Sequence, residues 1–298
     1  MAHYLKRKEI WLNSFLINYT RLTMNYDLYI DLIAADKLKE ATEYKNSCIP
    51  DVLYKYYWLD DNEEKNERRL NTLAEGKVYM SSLGGFNDPF EGQAFVFDEN
   101  ELRDKGWNLK WFKDFVEQIN SNAGVGCFCN ANEREQNMPM WAYYANNHSG
   151  FCVEYLIDRK VKKFMYPVSY EDTRAPGNAI IGNIIDQTLE LIKDGKGEDD
   201  MSGELNALNH MAYLSLTSKH KSWKHEKEVR ALVSRCYGEY LELLPRKIFI
   251  GIKCKEVHKE RLIEIAKNFQ PYCEVFQMKN TANSLNHWLV EEKINIDN

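Results

Sequence analysis

The sequence has no apolar run long enough to cross a bilayer, no CxxC pair and no excess of positive charge. A membrane-spanning helix needs about 20 consecutive apolar residues. The apolar patch in the N-terminal MAHYLKRKEIWLNSFLINY is interrupted by asparagine and followed by no small-residue cleavage site. The chain therefore reads as cytoplasmic, with no membrane partner. A formal net charge of −6 removes any broad, non-specific attraction to nucleic acid or anionic lipid, although a local basic groove stays compatible with it. The seven cysteines are odd in number and scattered, with no histidine at zinc-finger spacing, and read as reduced thiols in or near a core. Also absent are GxGxxG, GxxxxGK[ST], HExxH and GxSxG. The Rossmann oxidoreductase, P-loop NTPase, zinc protease and α/β-hydrolase readings thus lose their motifs.

What is present is an ordinary globular composition, 44% hydrophobic and 28% charged over 298 residues, enough for a full-sized core. No internal repeat is visible. Residues 1–50 read as a mainly helical extension, with Leu28, Leu32, Ala35 and Leu38 near helical spacing and Pro50 as the stop. Residues 51–298 read as a single α+β domain. In it DVLYKYYWL is a strand, DDNEEKNERRLNTLAEGK a helix stopped by Gly76, and KVYMSS a second strand. VGCFCN, FCVEYLI, RKIFIGIKC and CEVFQMK read as further strands, the last of these closing the fold, and NMPMWAYYANNHSG and KEVHKERLIEIAKNFQ as helices. Ser202 caps an apolar stripe through Leu205, Leu208, Ala212 and Leu216, YPVSYEDTRAPG falls in a less ordered stretch, and KDGKGEDD is an exposed loop. The expected architecture is a mixed, mainly antiparallel sheet, split or continuous, flanked by helices.

Chemistry concentrates in three places. The stretch GGFNDPFEG, Gly84 to Gly92, reads as a structured loop: Gly84 and Gly85 supply positive φ, Asn87 and Asp88 bond back to local amides, and Phe86 and Phe90 anchor it. In KHEKEVRALV, strand alternation from Glu226 places Glu226, Glu228 and Arg230 on one face and Val229, Ala231 and Val233 on the core face. The polar face is either an exposed ion-pair ladder or an active-site acid held by a cation. His148, before a strand that opens with Gly150, is a general base, an anion contact or a helix-end cation. Cys127 and Cys129 share one side of their strand but lack further metal ligands, and Trp141 and Trp223 read as core wedges or as platforms for a planar ligand.

Taken together, LYKYYWL, TLAEGKVYMSSLGGFNDPFEG, VGCFCN, MPMWAYYANNHSGFCVEY, YPVSY and SWKHEKEVR resemble the ordered blocks of a bacterial family of unknown function, domain of unknown function 2971, from about Leu53 to the C-terminus. The departure is Cys129, where that family more often shows serine. The resemblance implies a solitary or defence-associated bacterial protein. The block order is also remotely similar to ADP-ribosyltransferases, in which a split sheet grips NAD and a late-strand glutamate acts on the nicotinamide ribose.

What that second similarity implies is a transferase or NAD glycohydrolase, a toxin or an anti-phage effector, with NAD as substrate and a small nucleotide or protein as acceptor. Glu228 is then the preferred catalytic acid beside Arg230, and Glu226 positions the acceptor. Ser81 and Ser82 line the floor, Tyr54 or Tyr143 stacks on nicotinamide, His148 meets the pyrophosphate, and Asn87 and Asp88 form the rim. Where that fold has arginine or histidine on its first strand, this chain has Tyr54, Lys55 and Tyr56. Two other readings stand beside it. One is a metal-dependent hydrolase or nuclease with Asp88, Glu91, Glu226 and Glu228 around Mg²⁺. The other is a non-catalytic sensing module whose aromatic cleft binds a nucleotide or a phage-derived protein, with assembly through the N-terminal helices.

Overall fold

A computed structural model describes residues 24–35, 37–107, 109–130, 138–179, 206–269, 273–280 and 289–296, with isolated positions at 182, 185, 186, 189, 193 and 271. Residues 1–23 of the expected extension, the KDGKGEDD loop beyond Lys193 and the Ser202 cap lie outside the described residues.

Eight strands form one sheet: β1 (Val52–Tyr57), β2 (Ala123–Cys129), β3 (Phe151–Leu156), β4 (Met165–Pro167), β5 (Glu228–Ser234), β6 (Pro245–Ile250), β7 (Glu274–Asn280) and β8 (Leu289–Ile294). Their order is β8-β7-β6-β3-β1-β2-β5-β4. Only β6 and β7 run parallel; every other neighbouring pair is antiparallel. The α+β architecture is therefore the one the sequence implies, with two corrections. CEVFQMK is not the last strand, because β8 pairs with it, and the stretch around YPVSY is built of β4 and a short strand, Ser169–Glu171, paired with Ser218–His220.

The helices are α1 (Tyr26–Ala34), α2 (Leu38–Ser47), α3 (Glu63–Ala74), α4 (Glu99–Asp104), α5 (Leu109–Asn122), α6 (Met138–Tyr144), α7 (Arg159–Lys162), α8 (Asn206–Thr217) and α9 (Glu256–Lys267). Local chemistry sets their ends. The Asn62 side chain accepts from Lys65 N–H, Glu63 and Glu64 complement the positive end of α3, and Gly76 follows at φ +66°.

Helices cover both faces of the sheet, which is why β3 is buried on its two sides up to Leu156. On one face Leu53, Phe151, Val153, Tyr155, Val229 and Ile248 pack against Leu70 and Leu73 of α3 and Leu262 and Ile265 of α9. On the other, Tyr54, Tyr56, Cys152 and Phe249 pack against Met140 and Trp141 of α6. The aromatic residues of α1 meet Tyr213 of α8 and Tyr166, so the described part of the N-terminal extension packs onto the sheet's β4 edge. Among the described residues no helix is long and apolar enough to cross a membrane.

Candidate functional site

β1 and β2 are neighbours through one register pair, Tyr54 opposite Cys129. Farther along β2 the neighbour changes: Val125 exchanges both backbone hydrogen bonds with Ser81, at 2.8 and 3.0 Å. Between these two contacts the Lys55 ammonium donates to the Cys127 carbonyl at 3.1 Å. The two strands thus part in the middle of the sheet, and the opening is a cleft of about 370 Å³. Aromatic rings wall it, among them Tyr54, Tyr56, Phe86, Tyr143 and Tyr144.

The cleft floor carries Lys219, Glu226 and Glu228. The strand expected from Glu226 begins two residues later. Glu226 ends a 3-10 turn (Lys221–Glu226) capped by the His220 imidazole, which accepts from Ser222 N–H, and Lys227 takes a left-handed conformation at φ 46° before β5 starts at Glu228. That kink swings both carboxylates toward Lys219 on the preceding short strand. Its ammonium lies 2.6 Å from Glu226, 3.3 Å from Glu228 and 3.6 Å from Glu91, with the Trp223 ring 4.8 Å away. Behind it Arg230, fully buried, donates to Glu228 at 2.8 Å, to Glu91 at 2.6 Å and to the Leu216 carbonyl at 2.7 Å. The cluster is therefore a buried two-cation, three-carboxylate network, not an exposed ladder. Val229 and Ala231 are in the core as expected, while Val233 is half-buried.

The two neighbouring carboxyls are driven apart. Burial alone raises Glu228, but Arg230 and then Lys219 outweigh it and hold it at about 2. Glu226 is raised above its ordinary value, by burial and by the charge of Glu228, against the pull of Lys219. Burial lowers Lys219, yet Glu228 and Glu226 together carry it above the usual lysine range, so it stays charged. The Tyr144 hydroxyl donates to Glu226, and Asn87 donates to Tyr144 at 3.3 Å, which places the GGFNDPFEG loop at the cleft mouth. Cys127 and Cys129 lie opposite Arg230 and Glu228 in the β2–β5 register. Burial and the nearby carboxylates push Cys129 up to about 12 and Cys127 well above its ordinary value, so both are protonated thiols and not nucleophiles.

Of the residues singled out from sequence, Tyr54, Ser81, Asn87, Tyr143, Glu226 and Glu228 line the cleft, and Arg230 supports its floor. Several assignments are corrected. His148 lies outside the cleft: Asn146, Asn147 and His148 all have positive φ, and this left-handed run turns the imidazole back to stack on Trp141, 6.2 Å between centroids. Ser82 points to solvent. Asp88 is buried in its own turn, accepting from Phe90 N–H at 2.9 Å, and so does not present its carboxylate at the rim. Phe90 is 57% exposed, its ring meeting the Arg174 guanidinium at 5.7 Å instead of the core, whereas half-buried Phe86 lies 5.5 Å from the Arg230 guanidinium. The loop's positive φ is at Gly92; Leu83–Gly85 form a 3-10 turn. Trp141 is a core wedge, and the carboxylates proposed around Mg²⁺ close on Lys219 and Arg230, without Asp88. Among the described residues no group of three or more potential ligands is placed to hold a metal ion. Sequence reasoning missed Lys219 entirely; its signal is a lysine just before a turn that ends in E-x-E-x-R.

Residues 140–231 match the family model described as Protein of unknown function (DUF2971). The resemblance read from the blocks is borne out over these residues, which hold MWAYYANNHSGFCVEY, YPVSY and SWKHEKEVR; the blocks before Met140 lie outside the match. The DUF2971 segment carries Tyr144, Lys219, Glu226, Glu228 and Arg230, while Glu91, Asn87 and the β1 wall precede it. The match says nothing of ADP-ribosyltransferases. No curated protein and no solved structure gave a match.

Proposed function

We propose that the cleft cleaves the N-glycosidic bond between nicotinamide and ribose in NAD, passing ADP-ribose to an acceptor hydroxyl or to water. The observation that carries this reading is the pair of carboxyls on the floor of an aromatic cleft, one held ionised and one raised, sharing a single lysine. Such divergence is the usual mark of two carboxyls with separate roles.

The C1′–N bond breaks and its electron pair leaves with nicotinamide, which needs no proton. Ionised Glu228 offsets the positive charge that grows on the ribose. The acceptor oxygen bonds to C1′, and its proton passes to Glu226, whose raised affinity for protons suits a base working near neutral pH. Tyr144 orients that carboxylate, and the aromatic walls accept the nicotinamide ring. Ionised Glu228 is therefore a charge stabiliser in this scheme.

The test is nicotinamide release from NAD by the wild type, Glu226→Gln and Glu228→Gln. Turnover lost in Glu228→Gln, with the fold retained, supports the reading, and absence of turnover in the wild type with and without cell lysate removes it. NAD depletion in cells expressing the protein tests the toxin or defence role in the same way. One observation favours a second reading, a nucleotide-sensing module without turnover. Glu228 already accepts from Arg230 and Lys219, as a purely structural carboxylate would. Binding of NAD without nicotinamide release selects it.

A further inference from the structure

Lys219 and Arg230 are consumed by carboxylates, and His148 is outside the cleft. Lys55 differs from all three. It lines the cleft, and its ammonium donates to one neutral acceptor, the Cys127 carbonyl at 3.1 Å. The rings of Tyr57 and Phe128 lie 5.7 and 5.5 Å from it, and among the described residues no carboxylate comes within ion-pair distance. A lysine ammonium has three donors, so two remain for whatever enters the cleft. Burial makes the cation costly, the charge of Glu228 from beyond ion-pair distance offsets only part of that cost, and an anionic ligand relieves more of it.

We propose that Lys55 is the anion subsite of the cleft, holding a phosphate of a nucleoside phosphate whose planar ring lies among the tyrosines. The positions fit this use: Tyr54, Tyr56, Tyr143 and Tyr144 line the same cleft, the first two from the face of β1 opposite to that of Lys55, and the strand parting that creates the cleft leaves the ammonium in the gap. The volume of about 370 Å³ is within the range of small-molecule sites, which runs from about 300 to 1,000 Å³. The inference rests on the reading of the cleft as a nucleotide site, and it adds that the phosphate is what the site holds most tightly.

Calorimetric titration of ADP and adenosine into the full chain tests it without any turnover. The wild type is expected to bind ADP about 10- to 100-fold more tightly than adenosine, the factor that a charge-assisted hydrogen bond carries. Lys55→Met is expected to erase that preference, and Lys55→Arg to keep most of it. Equal affinity for ADP and adenosine in the wild type, no binding of ADP, or an undiminished preference in folded Lys55→Met overturns the proposal. ADP preference without NAD cleavage leaves the subsite standing and the catalytic reading fallen; NAD cleavage with no effect of Lys55→Met gives the reverse.

Discussion

Lys219→Met removes the cation on which three carboxylates close. Its side chain is 4% exposed and its ammonium lies 2.6 to 3.6 Å from Glu226, Glu228 and Glu91, leaving Arg230 alone to compensate three acids in the variant. Removing one partner of a buried ion pair costs about 3–5 kcal/mol, because the charge left behind is uncompensated. For a chain of this size that corresponds to a fall in melting temperature of roughly 5–8 °C. The loss must also depend on pH. Wild-type Lys219 has a raised titration, so its contribution is complete at neutral pH and is lost only as pH rises through its folded value. In the variant, Glu226 loses the group that pulls its titration down, and its raised value climbs further. A carboxyl raised in the fold favours folding below its unfolded value and loses that contribution as pH rises through its folded one. The variant is therefore expected to regain stability between pH 8 and pH 5, and the double variant Lys219→Met/Glu226→Gln to recover part of the loss at pH 8. Urea titrations at both pH values read these differences. A loss below about 1 kcal/mol, typical of an exposed ion pair, or an equal loss at the two pH values refutes the account of the cluster.

Further outcomes follow from the same geometry. Phe90→Ala is expected to change stability by no more than about 0.5 kcal/mol, as an exposed side chain does, and Phe86→Ala by clearly more, because its ring packs on Arg230; thermal melts of both variants check the order. Gly150→Ala should cost about 3 kcal/mol or more, since its Cβ would lie 2.0 Å from the Tyr57 carbonyl, a clash that only a backbone shift relieves. A wild-type melting temperature in Gly150→Ala contradicts that packing. In acid, the wild type should lose up to about 3 kcal/mol between pH 4.5 and pH 2 as Glu228 takes up its proton, while Glu228→Gln lacks this dependence. Parallel acid denaturation curves for the two proteins count against an ionised Glu228.

Much of the fold was legible because local signals agreed. β1, β3, β6, α3 and α9 have clear periodicity and stop residues, and they appear where the sequence places them. β8 was missed because LVEEKI puts two acids in succession on an edge strand, where solvent satisfies them. Within the site, Glu226, Glu228 and Arg230 converge as alternation implies, although the left-handed Lys227 breaks the strand between the two acids. Contacts made across the fold were not legible: Lys219 reaches Glu91, and Arg230 joins Glu91 to Glu228 over more than a hundred residues of chain. Local turns hid the rest. Backbone conformation at Asn146–His148 turned one assigned side chain out of the cleft, and the Asp88 turn kept another from its mouth. Spacing alone does not encode either.

The central claim is that Glu226 and Glu228 divide the work of glycosidic cleavage between a base and a fixed negative charge. The measurement that tests it most directly is the pH dependence of kcat/KM for nicotinamide release. The account predicts a rate that rises with pH through the raised titration of Glu226, an acid limb that disappears in residual Glu226→Gln activity, and no turnover in Glu228→Gln at any pH. An acid limb that survives in Glu226→Gln, or turnover that survives in Glu228→Gln, contradicts it.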